Sequence, residues 1–165
     1  MPALRALHIN GRGCSQQADV LIALAQGPVV QNLRSLHLYD CNIDFEDLDT
    51  WVRKHLGSLQ ELSITGLHLD SGSIGDLASL FACLRNAAFH HRKLSHLTIA
   101  NICMDWCYVE FMADCFTASW DVEAPSLEEG WVMVDHLEAL EFEGVDDVVE
   151  GLDIMLGCMI LVDWE

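Results

Sequence analysis

A six-residue block recurs five times along the chain, and this recurrence constrains the fold more than any other feature. The copies are LRALHI (4–9), LRSLHL (33–38), LQELSI (59–64), LSHLTI (94–99) and LEALEF (137–142). Each reads leucine, two variable residues, leucine, one variable residue, then an apolar residue. Alternate residues of a strand point to opposite faces, so the fourth and sixth positions enter the core together while their neighbours face outward.

The second copy extends further. Leu33, Leu36, Leu38, Cys41 and Ile43 satisfy the pattern L-x-x-L-x-L-x-x-N/C-x-L, whereas the ninth position elsewhere holds Arg12, Leu67, Ile102 and Val145. Helix-like segments separate the blocks. In 44–56, Phe45, Leu48, Val52 and Leu56 fall at helical spacing, with Asp44 as N-cap and Gly57 as stop. Segments 18–24 and 74–84 behave similarly, Ser73 capping the latter, and 104–116 and 145–156 complete a series of crossover helices. The expected fold is α/β: a leucine-rich-repeat solenoid of about five strand–helix units with a parallel sheet on its concave face. Block starts lie 29, 26, 35 and 43 residues apart, so insertions grow toward the C-terminus. The longest, 117–135, is expected to project as a loop. Its Trp120 and Trp131 are either a binding tip or, as rings more often do, pack back onto the repeat.

The segments LRSLHLYDCNI and LQELSITGLHLDSGSIGDLASLFACLR resemble the leucine-rich repeats that follow the F-box in many F-box-like proteins of filamentous fungi. The likeness spans 4–142. It implies a substrate-recognition surface. The F-box itself, a separate helical module that recruits ubiquitin-ligase machinery, is not found ahead of the first block, so a recruiting role is not expected of this stretch, which reads either as a fragment of a longer protein or as a stand-alone relative.

With 165 residues, 52% hydrophobic, and only three prolines, the chain suits a single domain over 1–165 with no linker. The N-terminal apolar stretch is broken by Arg5 and His8, unlike a secretory signal, and no run of about 18 apolar residues occurs. Seven cysteines, odd in number and irregularly spaced, suit reduced thiols in a cytoplasmic or nuclear protein. Charge is polarised: 1–93 holds nine of the 26 acids and all eight Lys and Arg, and 94–165 holds the other 17 acids and no Lys or Arg. Such a field repels nucleic acid and anionic membranes. It suits either a solvated acidic face or a partner with a basic surface.

The residues between the buried leucines face the concave side, which gives three outward columns: His8, His37, Ser63, Thr98, Glu141; Asn10, Tyr39, Thr65, Ala100, Glu143; and Ala6, Ser35, Glu61, His96, Ala139. The expected partner-binding residues are His8, His37, Tyr39, Asp40, Glu61, His96, Glu141 and Glu143. Adjacent strands lie about 4.8 Å apart, so His8 and His37 should be neighbours. Two imidazoles without converging further ligands do not make a metal centre, and the other metal-like cluster, Cys103, Cys107 and Cys115 with His96 nearby in sequence, lacks the C-x2-C spacing of a zinc module. Cys107 and Cys115 are expected along a buried helix face. No metal or cofactor is expected.

The chief rival is a nucleotide-binding turn: strand, Gly11-Arg12-Gly13, helix, then Asp40 after the next strand. Gln16 stands where the third glycine of G-x-G-x-x-G is needed for close helix packing. No nucleophile elbow, phosphate loop or H-E-x-x-H pair is present, and Asp146, Asp147, Glu150 and Asp153 lack a calcium-wrapping loop and read as a solvated helix face. The sequence therefore points to a protein-binding scaffold with no catalytic residues. Self-association is a further expectation, because the strand edges at 4–9 and the apolar stretch at 159–162 lack polar caps.

Overall fold

Three successive repeats follow one burial template. Counted from the first leucine of each block, positions 1, 4, 6, 9 and 11 are Leu33, Leu36, Leu38, Cys41 and Ile43; Leu59, Leu62, Ile64, Leu67 and Leu69; and Leu94, Leu97, Ile99, Ile102 and Met104. None is more than 3% exposed. Strict alternation would send positions 9 and 11 to the opposite face from 4 and 6. The mismatch is absorbed at position 8, where Asp40 (φ 48°), Gly66 (φ 66°) and Asn101 (φ 51°) are all left-handed. A left-handed residue of this kind acts as a bulge, adding one residue and turning the following side chains back to the same face. Glycine, asparagine and aspartate are the residues that tolerate it best.

The computed structural model describes residues 4–11, 23, 26–27, 29–30, 32–104, 107–112, 136–137 and 139–163. In chain order the elements are β1 (Ala6–Asn10), β2 (Ser35–Tyr39), β3 (Asn42–Ile43), α1 (Phe45–His55), β4 (Glu61–Leu69), α2 (Ile74–His91), β5 (His96–Met104), β6 (Cys107–Met112), β7 (His136–Leu137), β8 (Ala139–Glu143), α3 (Val145–Cys158) and β9 (Met159–Asp163). They form a mixed, mostly parallel α/β arrangement of one nine-stranded sheet and three helices. β1, β2, β4 and β5 pair in parallel and in sequence order, with Leu7, Leu36, Leu62 and Leu97 aligned across them. The insertion at 117–135 and all of the expected helix over 18–24 except Ala23, which is helical, lie outside the described residues.

Two expectations are overturned beyond β5. The segment 104–116 does not form a crossover helix: 107–112 is β6, antiparallel to β5, with Met104 opposite Cys107. Only two residues separate the paired positions, too few for a parallel crossover. Val109 and Phe111, two apart, are both buried, a strand period rather than a helical one. Cys107 consequently sits half-buried on a strand rather than on a helix face, and Cys115 lies outside the described residues. The fifth block also departs from the parallel series. β8 runs antiparallel to β5, with Thr98 opposite Glu141. β9 then returns antiparallel to β6.

The helices cover the leucine face. Leu48, Trp51 and Val52 of α1, Leu77, Leu80, Phe81 and Leu84 of α2, and Val148, Leu152 and Met155 of α3 share one core cluster with the strand leucines. α2 begins with a full capping box: the Asp76 amide donates to Ser73 Oγ at 3.3 Å, and the Ser73 amide to Asp76 Oδ2 at 2.9 Å. Asp44 occupies the N-cap of α1, but its carboxylate accepts from Ser71 Oγ instead of capping, and Ser71 Oγ accepts from the Phe45 amide at 3.2 Å.

A Cβ built on Gly66 would lie 2.2 Å from Asp40 Oδ1, in a backbone region hostile to side chains. Gly66→Ala is therefore expected to lower unfolding free energy by about 1–2 kcal/mol or more, read by urea denaturation. Gly57→Ala, with nothing within 4 Å of the added carbon, should leave stability unchanged or raised.

Candidate functional site

Opposite the helices, the sheet presents a face built from the variable positions of the blocks. Register alignment gives one row of His8, His37, Ser63, Thr98 and Glu141, and a second of Ala6, Ser35, Glu61, His96 and Glu143. The third runs Asn10, Tyr39, Thr65, Ala100 and Ala139. Glu143 and Ala139 have exchanged places relative to an all-parallel sheet. Reversing a strand about Glu141 leaves that residue in its row and swaps the residues on either side of it.

The swap creates the densest polar cluster on this face. His96 Nε2 lies 3.2 Å from Glu141 Oε1, and Nδ1 lies 3.9 Å from Glu143 Oε1. Thr98 Oγ1 is 3.3 Å from Nε2. Both carboxylates are largely exposed, at 63% and 82% of their side-chain surface. Neighbouring rows form a second group. His8 and His37 stack with ring centroids 4.2 Å apart and planes 6° from parallel. His37 Nε2 lies 3.8 Å from Glu61 Oε2, to which Ser35 Oγ donates a hydrogen bond. Burial, then the neighbouring His8, push the His37 pKa below its ordinary value, against an upward pull from Glu61.

Of the other sequence-derived site residues, Tyr39 is exposed at the end of β2. Asp40 occupies the left-handed kink, its carboxylate beside Gly66. Trp120 and Trp131 lie outside the described residues. The three rows contain no Lys or Arg.

Two arginines lie on the helix side. Arg85 of α2 grips Asp153 of α3 through two hydrogen bonds of 2.9 and 3.0 Å, and Arg92, just past α2, grips Asp146 at 2.5 and 3.1 Å. Arg92 holds the Asp146 carboxyl below its usual range. Two members of the expected solvated acidic face are thus bound to the preceding helix. Helical spacing gave no sign of this, because the partners lie 68 and 54 residues away.

His55 was also missed. It reads as one more basic residue at a helix end, yet it is 1% exposed and joins two segments: the Val30 amide donates to Nε2 at 3.1 Å, while Nδ1 lies 2.8 Å from the Trp51 carbonyl. Accepting at Nε2 fixes the neutral tautomer with its proton on Nδ1.

The described cysteines 41, 83, 103, 107 and 158 form no disulfide with one another. Cys41 Sγ donates to the Tyr39 carbonyl at 3.1 Å and reaches the Ile9 carbonyl at 3.7 Å, bracing β2 against β1. Burial pushes its thiol pKa up, away from reactivity. At the glycine turn, the Gly11 amide donates to the Tyr39 carbonyl at 2.7 Å, continuing the ladder between strands. Gly13 and Gln16 lie outside the described residues.

Among the described residues, no helix is long and apolar enough to cross a membrane. No family model matches the chain, and no curated protein or solved structure matches it either.

The depressed His37 pKa gives a pH signature. The folded state holds the proton less tightly than the unfolded chain, whose value is near 6.5, so this contribution is fully present above about 6.5 and is lost as pH falls from there through the lowered folded-state value. Stability should begin to decline as pH drops below about 6.5, ahead of carboxylate protonation. Removing the stacked neighbour with His8→Gln should raise the His37 titration midpoint, followed by imidazole proton NMR.

Proposed function

We propose that this chain is a protein-interaction scaffold, an irregular leucine-rich-repeat unit that binds a partner with a basic surface through the helix-free face of its sheet. One observation carries the reading: Glu61, Glu141 and Glu143 are at least half exposed on a face whose three rows hold no Lys or Arg. The helix-side acids Asp146 and Asp153 already have arginine partners. Complementary charge steers association and fixes register, and strands hold the contact residues with little ordering cost on binding. His8, His37 and Tyr39 extend the surface with flat rings suited to interface contacts.

Support for repeat architecture comes from the shared burial template, the recurring left-handed kink and the in-register parallel strands of the first four blocks. Under this reading the likeness to the repeats of F-box-like proteins extends to role: a recognition surface, working in the cytoplasm or nucleus, with no catalysis of its own. Nothing favours the nucleotide-binding alternative at Gly11, Gly13 and Asp40. That fold places its ligand where strand order reverses, and here β1, β2, β4 and β5 lie in unbroken sequence order.

The test is capture of basic proteins from extract by the immobilised chain, followed by affinity measurement on the captured partner. Glu141→Lys with Glu143→Lys should weaken binding by about tenfold or more, and raising salt should weaken it in wild type. Binding indifferent to both the charge reversal and the salt would overturn the proposal.

A further inference from the structure

The structure assigns, we infer, a divalent transition-metal site to His96, Glu141 and Glu143, with zinc as the fitting ion. One imidazole nitrogen and one oxygen from each carboxylate all lie within 4.8 Å of one another. Zinc binds nitrogen and oxygen at about 2.0–2.2 Å, so its ligand atoms sit roughly 3.4 Å apart in a tetrahedron. Closing the gap takes a rotation of the two exposed glutamates by about an ångström. Their backbones need not move, because register pairing already places Glu143 opposite His96 and Glu141 opposite Thr98.

Three further features point to a cation. Two carboxylates flank one imidazole with no Lys or Arg in the surrounding rows, while Glu61, next to His96 in the same row, turns its carboxylate to Ser35 and His37. A dication relieves that repulsion directly. The acids of α3 show the contrast, since Asp146 and Asp153 are already neutralised by Arg92 and Arg85. Finally, the donor set includes a nitrogen. Calcium and magnesium take oxygen shells of six or more, whereas imidazole with carboxylates suits zinc and its neighbours. Three protein ligands leave a fourth position for water or for a side chain of a bound molecule.

The site shares Glu141 and Glu143 with the proposed partner surface, but it rests on the ligand geometry alone and its test needs no partner. The reduced full chain is titrated with zinc by calorimetry and with cobalt by visible absorption. One equivalent of zinc should bind. Glu141→Gln and Glu143→Gln should each weaken binding at least about tenfold, and His96→Gln should abolish it. His8→Gln and His37→Gln should leave it unchanged, and calcium at equal concentration should not compete. The glutamine variants alter exposed side chains, and circular dichroism confirms their fold. Wild-type affinity in both glutamate variants, an absence of saturable binding, or a thiolate-to-cobalt charge-transfer band would each overturn the assignment.

Discussion

The rest of the fold depends on a one-residue slip in phase. Five apolar positions per repeat must reach one core, yet their spacing of three, two, three and two cannot be met by a straight strand. Left-handed backbone at Asp40, Gly66 and Asn101 reconciles the pattern with the pleat. Because the second, third and fourth copies kink at the same position, their strands stay in register on both sides of the kink. β4 pairs with β2 through its first half and with β3 through its second, and β5 similarly divides its far edge between β8 and β6. The variable positions between the leucines are then held in straight rows.

Reversal of the fifth block changes what those rows contain. A parallel fifth strand would have set Ala139 beside His96 and Glu143 beside Ala100. The antiparallel one gathers Glu141 and Glu143 around His96 instead. The core is indifferent to the change, since Leu140 and Phe142 are buried within it either way. Inward packing therefore tolerates both directions, while the chemistry of the outer face follows from which one the chain adopts.

This difference also explains how much was legible in the sequence. Strong local signals were read correctly: four blocks as in-register parallel strands, Ser73 as a cap, and the contact between His8 and His37. The failures share a cause. Segment 107–112 carries period-two burial but sat where the repeat series called for a helix, and the block at 137–142 matched its siblings in composition though not in direction. Strand direction is decided by the length and course of the connection, information that lies outside the strand. The arginine contacts to α3 were equally hidden, since pairs tens of residues apart leave no periodic trace.

The arginine ridge of α2 has a further meaning for the chain as a polymer. Everything after position 93 carries seventeen acids and no fixed cation, so in isolation that stretch would repel itself and resist collapse. Arg85 and Arg92 are supplied by sequence that leaves the ribosome first. α3 thus docks on a segment that meets its charge at two points, drawn from the half of the chain that holds every Lys and Arg. Replacing the acids of α3 by neutral residues would leave Arg85 and Arg92 without these partners, which ties the acidity of one half to the architecture of the other.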